Sequence, residues 1–287
     1  MSSSTASQTA SSNINKTEQH DILSIQSGVM AGAVGNDAAG PIYAQTGLSA
    51  ARLDTVRLAA HPGHGAMRAQ VTPPDSLSAL LTDFFSLPKA HNLRLIQTGY
   101  FGSATQVAAV ATEVREYLLS HPQCQFLCDP VLGDGGRLYV DSAIKGGMKT
   151  HLLPLADYLT PNLFELGALI GKNIKTCDDA MSEGLAFLSA QELEQCRAIL
   201  VTGVPQSDGM VSDCLITRTS QTIIHTSQST GGISGSGDVL AALMASNLLK
   251  YHNDDIHEAV QSACALTAVL MAQAPSSLTM SVYLPHS

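Results

Sequence analysis

Short apolar segments that alternate with helix-like segments constrain the fold of this chain more than any other feature. Cys124–Cys128 and Ala198–Thr202 are largely apolar runs, which is typical of strands buried on both faces of a parallel sheet. Apolar residues recur at helical spacing from Asp75 to Leu87, and an alanine-rich helix is predicted from Ile256 to Ala272. This alternation predicts an α/β fold with a mainly parallel sheet.

The beginning of the chain differs in composition from the rest. Residues 1–20 are rich in Ser, Thr, Asn and Gln and lack the basic start and apolar stretch of a secretion signal, so we expect a disordered tail. With 45% apolar residues, the 287-residue chain can bury one large core, which predicts a single domain over residues 21–287. No apolar run reaches the roughly 18 residues that a membrane span requires. We therefore expect a cytoplasmic protein.

The net charge of −9 bears on which partners the chain can bind. Neutralising a nucleic-acid backbone takes a basic face, which 15 Lys and Arg residues cannot easily supply. We therefore expect neither a nucleic-acid partner nor a membrane partner. A nucleotide would have to be held locally, by backbone amides at a helix N-terminus and by a metal ion.

The most informative segment is Gly231–Asp238, which reads GGISGSGD and leads directly into an apolar helical run. Its glycines let the backbone approach a ligand closely, and consecutive amides at a helix N-terminus form an anion hole. A phosphate fits there, and Asp238 could then deprotonate a hydroxyl that attacks it. The alternative is an ordinary acidic residue in the first turn of a helix after a flexible loop.

Two further segments carry oxygen ligands of the kind that magnesium prefers. Asp129 and Asp134 lie five residues apart after a buried strand, and their alternative role is to form turns. Asn162 and Glu165 share one face of a predicted first helical turn, where a capping role is the alternative. Phosphoryl transfer requires an amide cradle, carboxylates for magnesium and a base, so the combination favours a kinase.

Five stretches of the sequence, in order, resemble the pyridoxal kinases of the ribokinase-like superfamily. The resemblance covers roughly residues 21–272 and implies a three-layer ribokinase-like fold. The matching stretches are SIQSGVMAGAVGN (24–36), TGYFGSATQ (98–106), DPVLGD (129–134), LLPLADYLTPNLFEL (152–166) and GSGD (235–238).

The resemblance implies ATP-dependent phosphorylation of the 5′-hydroxymethyl group of pyridoxal, with pyridoxine and pyridoxamine as further acceptors. Asp238 would be the catalytic base, and Ser27 would bind the pyridine ring together with Gly63 and His64 of a lid. Magnesium would be held by Asp129, Asp134 and Glu165. The amides expected to stabilise the moving phosphoryl group are those of Gly235, Ser236 and Gly237. The ATP side would be lined by Asp129, Thr160, Glu165, Thr202, Gly235 and Gly237. The family further implies a homodimer, and potassium or another monovalent cation in many members.

Two departures from the family pattern leave alternatives open. Gly28 stands where the family commonly has a polar or aromatic residue, and the lid segment reads HPGHGAMRAQ without tyrosine or tryptophan. Within it, His61 or His64 is a candidate to replace the missing aromatic bulk. One alternative is a hydroxymethylpyrimidine kinase of thiamine biosynthesis. The other is a catalytically silent protein that binds or buffers pyridoxal, although such a protein has no need of Asp238 as a base.

Overall fold

A computed structural model describes residues 19–65, 68–206, 210–226, 233–251, 255–275 and 280–285. The described strands are β1 (Ile22–Ala31), β2 (Ala50–Ala60), β3 (Gln70–Val71), β4 (Leu95–Thr98), β5 (Gln125–Cys128), β6 (Gly133–Asp134), β7 (Arg137–Leu138), β8 (Tyr158–Leu159), β9 (Ala198–Pro205), β10 (Val211–Thr217) and β11 (Gln221–Thr226). The helices are α1 (Asn36–Gln45), α2 (Pro74–Ser86), α3 (Ala104–Ser120), α4 (Ser142–Gly147), α5 (Leu163–Ile170), α6 (Cys177–Leu188), α7 (Ser236–Lys250) and α8 (Ile256–Ala272). Most of the tail predicted over residues 1–20, and Gly231 and Gly232 of the glycine-rich segment, lie outside the described residues.

Nine of the described strands form one sheet in the order β11-β10-β9-β8-β5-β4-β1-β2-β3. The six strands from β9 to β2 are parallel, whereas β10, β11 and β3 pair with their neighbours in antiparallel fashion. The predicted mainly parallel sheet is therefore confirmed. After β1 the chain builds β2 on one side and β4 on the other, and ligands bind at such a switch point in open α/β sheets.

Helices cover both faces of the sheet, so that the described residues form three layers. One apolar core lies under α2 to α6 and contains residues such as Leu77, Val110 and Leu166. The other lies under α1, α7 and α8 and contains residues such as Ile42 and Leu243. All six cysteines are buried and unpaired. Among the described residues, no helix is long and apolar enough to cross a membrane.

The first strand is longer than its sequence suggests. The run DILSIQ at Asp21–Gln26 predicts a short first strand that ends before Ser27, but β1 continues to Ala31. The physical reason is that β2 also extends and supplies a parallel partner for residues beyond Gln26, after a register shift between Gln26 and Gly28. The expectation is therefore wrong in this detail, and Ser27 sits at an irregularity inside the strand.

Candidate active site

The carboxyl edge of the sheet gathers most of the residues that the sequence singled out. Past the ends of the strands, backbone hydrogen bonds continue the ladder: the Asp129 N–H donates to the Thr98 carbonyl at 2.9 Å, and the Thr202 N–H donates to the Pro161 carbonyl at 3.0 Å. These bonds tie the loop after β5 to the end of β4, and the loop after β8 to Thr202 within β9. Polar side chains from four separate segments of the chain therefore line one edge.

The loop before α7 rests on the segment that follows β1. Gly235 has φ +91°, and a Cβ there would lie 2.0 Å from the Ala33 carbonyl oxygen. Gly35 has φ +55°, and a Cβ there would lie 2.1 Å from the Ser27 carbonyl oxygen and 2.6 Å from Ser27 Oγ. Only glycine tolerates both the left-handed backbone and this close approach. The contact brings the start of α7 next to Ser27.

Asp238 lies in the first turn of α7, next to this contact. Burial raises its pKa to about 6, and the backbone amide of Gly35 acts in the opposite direction. A carboxyl with such a pKa is mostly ionised at pH 7 and is a stronger base than an ordinary aspartate. The geometry therefore suits Asp238 for accepting a proton from a hydroxyl group.

Asp129 and Glu165 form a buried acidic pair close to Asp238. Burial raises the pKa of Asp129 well above its usual range, and the charges of Glu165 and Asp238 raise it further. Burial also raises the pKa of Glu165 to about 7, although the amides of Asn162, Leu132 and Gly133 oppose the shift. Among the described residues, no positively charged side chain is a main cause of these three pKa shifts. The site thus favours a cation or protons.

The Glu165 carboxylate ties two loops together. One oxygen accepts hydrogen bonds from the N–H groups of Leu132 at 2.8 Å and Gly133 at 3.3 Å, and the other accepts from the Asn162 N–H at 2.9 Å. Asn162 Oδ1 in turn accepts from the Glu165 N–H at 2.9 Å, which completes a capping box at the start of α5. The capping role weighed for this pair is therefore confirmed. Glu165 also holds the loop after β5.

Thr160 has a polar atom that the protein leaves unused. Its Oγ1 is buried and has no hydrogen-bond partner. The hydroxyl lies near enough to Asp129 to lower that pKa somewhat, but the geometry falls short of a hydrogen bond. A buried polar atom without a partner is uncommon in folded proteins, and a bound ligand or water is one explanation. Thr160 therefore remains available to a ligand beside the acidic pair.

Among the described residues, no group of three or more His, Cys, Asp or Glu side chains is arranged to hold a metal ion by itself. Asp134, predicted as a third ligand, is exposed and accepts the Gly135 N–H at 2.6 Å. Its charge raises the pKa of Glu165, but by less than burial does. The donor set fits magnesium that arrives with phosphate oxygens, because this ion needs only one or two protein carboxylates.

The lid segment reaches the glycine-rich loop through His61. Its Nδ1 lies 3.5 Å from Ser234 Oγ and accepts the Gly63 N–H at 3.1 Å. Burial lowers the pKa of His61, and nearby His64 lowers it further. Gly63 and His64 themselves are exposed. The contact with the loop thus comes from His61.

The amides at the start of α7 are not equivalent. The Ser236 N–H donates to the Ile233 carbonyl at 3.0 Å, so it is occupied within the protein. First-turn amides such as that of Gly237 have no partner inside the helix. The predicted cradle of Gly235, Ser236 and Gly237 therefore has to rely on the other two amides unless the Ser236 bond opens.

Sequence reasoning missed two contributors to this site. The sequence assigns Gly35 no role beyond its place in the stretch SIQSGVMAGAVGN, although its left-handed φ and its contact with Ser27 shape the substrate side. The amides of Leu132 and Gly133 bind Glu165, and a backbone amide leaves no signal in the residue type. For Gly35, the Gly-Asn-Asp order before a helix was the available signal.

Known proteins that are similar to this chain are kinases. Residues 58–281 match the family model described as phosphomethylpyrimidine kinase. The pyridoxal kinase of Leifsonia xyli is 30% identical over 233 residues, which is 80% of this chain and 81% of that protein. The pyridoxal kinase of Deinococcus radiodurans is 33% identical over 200 residues, which is 69% of this chain and 67% of that protein. The structure of Leishmania donovani pyridoxal kinase with ADP and pyridoxamine superposes with a TM-score of 0.81 at 23% identity, covering 91% of this chain and 92% of that one.

Proposed function

The chain belongs to the phosphomethylpyrimidine kinase family and, within it, to the pyridoxal kinases, and on that premise we propose that it transfers the γ-phosphoryl group of ATP to the 5′-hydroxymethyl group of pyridoxal. Pyridoxal 5′-phosphate and ADP are the products, in vitamin B6 salvage. The observation that carries the proposal is Asp238, partly buried with a raised pKa at a helix N-terminus. Pyridoxine and pyridoxamine carry the same hydroxymethyl group and are further candidate acceptors.

Asp238 acts as the general base in the proposed reaction. Its carboxylate accepts the proton of the acceptor hydroxyl as the oxygen attacks the γ-phosphorus, and the bond from that phosphorus to the β–γ bridging oxygen breaks. A pKa of about 6 keeps the group ionised at neutral pH while making it more basic than a typical aspartate. The Gly235 and Gly237 amides at the N-terminus of α7 stabilise the negative charge on the phosphoryl oxygens.

The nucleotide and its metal occupy the acidic side of the edge. Asp129, Thr160 and Thr202 line the proposed ATP site, and Asp129 is the group we propose to hold Mg²⁺, with Glu165 and the exposed Asp134 as its farther neighbours. When bound, Mg²⁺ neutralises phosphate charge during transfer. Glu165 keeps the loops after β5 and β8 together through its bonds to three amides, as the Leu132, Gly133 and Asn162 contacts support.

The substrate side is formed by Ser27 and the lid segment. Ser27 lies against Gly35 and can offer its hydroxyl to the pyridine ring or a substituent. Gly63 and His64 remain proposed substrate contacts, and His61 joins them because it already reaches the loop before α7. We further propose a homodimer, a monovalent cation such as K⁺, a cytoplasmic location and a single kinase domain over residues 21–287.

Two other functions compete with this proposal. A hydroxymethylpyrimidine kinase is favoured by the description of the matching family model, and it phosphorylates the same kind of alcohol. A silent pyridoxal-binding protein would keep the pocket without using the base. The 30% identity to a pyridoxal kinase over 80% of the chain supports pyridoxal phosphorylation over both of these functions.

The experiment that tests the proposal measures ADP release by the purified protein with magnesium ATP and, in separate reactions, pyridoxal, pyridoxine, pyridoxamine and hydroxymethylpyrimidine. We expect turnover with pyridoxal. Turnover with the pyrimidine alone would keep the reaction type but change the pathway. Tight binding of pyridoxal with no turnover of any acceptor would favour the silent binding protein.

A further inference from the structure

β9 contains an irregularity at the position where it meets the nucleotide side of the site. Its antiparallel pairing with β10 shifts between Ser212 and Cys214, so that Thr202 and Gly203 together face Asp213 alone. Two residues opposite one form a β-bulge, which redirects side chains and is common next to active sites. The bulge therefore sets the direction in which Thr202 leaves the strand.

The carboxylate of Asp213 holds the bulge in place. Its Oδ1 accepts the Gly203 N–H at 2.9 Å, and Gly203 has a left-handed φ of +68°, which glycine adopts without strain. Asp213 is only 7% exposed. Burial raises its pKa, while the Gly203 amide and the nearby Cys264 thiol lower it. A buried acceptor of this kind fixes one backbone geometry and leaves little room for another.

Thr202 is held from the opposite side by the loop that carries the acidic pair. Its N–H donates to the Pro161 carbonyl at 3.0 Å, and it forms a parallel bridge with Asn162. Asn162 caps the helix in which Glu165 lies. Thr202 thus stands between the loop after β8 and the bulge that Asp213 holds.

We propose that Asp213 is a positioning residue for the nucleotide: it fixes the bulge at Gly203 so that Thr202 faces the bound ATP. The inference rests on the proposed function, because it deepens the assignment of Thr202 to the ATP site. Asp213 does not touch the reacting groups. Its effect on the reaction passes through the backbone of β9.

The test compares three variants by nucleotide affinity and by kinetics. Asp213→Ala removes the acceptor, and Asp213→Asn keeps a side-chain oxygen in its place. Asp157→Ala is the matched control, because Asp157 Oδ2 likewise accepts a backbone N–H, that of Phe126 at 2.8 Å, at the opposite end of the sheet. We measure the Kd of ADP by titration calorimetry, and KM for ATP, KM for pyridoxal and kcat by ADP release.

We expect Asp213→Ala to raise the Kd of ADP and the KM for ATP by about tenfold, the size typical of a lost hydrogen bond to a charged acceptor. Asp213→Asn should recover most of this loss, the KM for pyridoxal should stay near the wild-type value, and Asp157→Ala should leave ADP affinity unchanged. A folded Asp213→Ala protein with wild-type ADP affinity overturns the proposal. So does an equal loss of ADP affinity in Asp157→Ala.

Gly203→Ala supplies a second route if Asp213→Ala does not fold. It leaves Asp213 intact but strains the left-handed turn, and no atom within 4 Å would obstruct the added Cβ. We expect weaker ADP binding, and unchanged affinity would overturn the inference. ADP binding needs no acceptor alcohol, so a failure to phosphorylate pyridoxal would defeat the proposed function without altering this result.

Discussion

One acidic cluster lies on β2 and at the start of α1, another follows β5 and includes the first turns of α5 and α7, and the two differ in how their charges are compensated. In the first, the Asp54 carboxylate accepts hydrogen bonds from Arg57 Nε at 2.9 Å, Arg52 Nη2 at 3.1 Å and Asn36 Nδ2 at 2.7 Å. Arg52 Nη1 also pairs with Asp37 at 3.0 Å. Both carboxylates in this cluster, Asp37 and Asp54, have a cationic partner, and we call it the paired cluster.

In the part of the chain that the structure describes, the second cluster, Asp129, Glu165 and Asp238, has no such partner among the main causes of its pKa shifts, and burial raises the pKa of all three groups. Folding leaves these groups in an unfavourable state that a metal ion, a proton or a substrate can relieve. Uncompensated charge, more than the number of acids, therefore marks the chemically active part of the edge.

The largest effect is expected when one acid from each cluster is neutralised and the losses in kcat are compared. Asp238→Asn should lower kcat with pyridoxal by at least about 100-fold, the size typical of a lost general base, while ADP binding persists. Asp54→Asn, as the matched change in the paired cluster, should keep kcat within a few-fold of wild type. Steady-state ADP release measures both. Similar losses in the two variants would mean that the clusters do not differ in function.

Asp238→Asn also tests whether the buried charge of Asp238 destabilises the folded protein. Because the folded pKa of Asp238, about 6, lies above its ordinary value of 3.8, stability is greatest when the group is protonated and falls as the pH rises through about 6. Asp238→Asn should therefore be more stable than wild type at pH 8, by up to about 3 kcal/mol, with no difference below pH 4. Urea denaturation of the ligand-free proteins at both pH values measures this. A variant less stable than wild type at pH 8 would contradict the argument.

A smaller effect is expected from Glu165, which we place behind the metal. Glu165→Gln keeps the size of the side chain but removes its charge and one of the two oxygens that accept backbone N–H groups. The Mg²⁺ concentration that gives half-maximal activity should rise by about tenfold, the lower end of what is typical when a group behind a metal ligand is changed. Magnesium titrations of ADP release, with Asp54→Asn as the control, measure the shift. An unchanged magnesium requirement would separate Glu165 from the metal.

The smallest effect should come from the paired cluster itself. The Arg57 side chain is 70% exposed, and exposed ion pairs contribute only about 0 to 1 kcal/mol. Arg57→Ala should thus lower stability by less than about 1 kcal/mol, and by less still in high salt. Denaturation at two salt concentrations checks this. A larger loss would show that Asp54 depends on Arg57 in spite of its bonds to Arg52 and Asn36.

The paired cluster also explains why Gly28 stands where the family commonly has a polar or aromatic residue. A Cβ at this position would lie 2.9 Å from the Asp54 carboxyl carbon and from its Oδ2. The paired cluster therefore occupies the space that a side chain would need. The sequence shows the missing side chain, but only the tertiary structure shows what fills its place.

Local patterns predicted the elements of the fold well. The helix at Ile256–Ala272 has the predicted bounds, because its capping Asp255 and its apolar spacing act within a few residues. β1 was predicted too short, since its extension depends on pairing with a strand more than twenty residues away. Propensity within one segment carries no information about such a partner.

The sequence by itself determined the α/β class, the glycine-rich loop before a helix, and which acids could serve a kinase, because each is written in residue types at short spacing. Tertiary structure alone decided which acids remain unpaired, that Gly35 lies against Ser27, and that Asp213 holds the bulge beside Thr202. The physical reason is that these features depend on backbone amides and on charges from distant strands. Neither has a signature until the chain has folded.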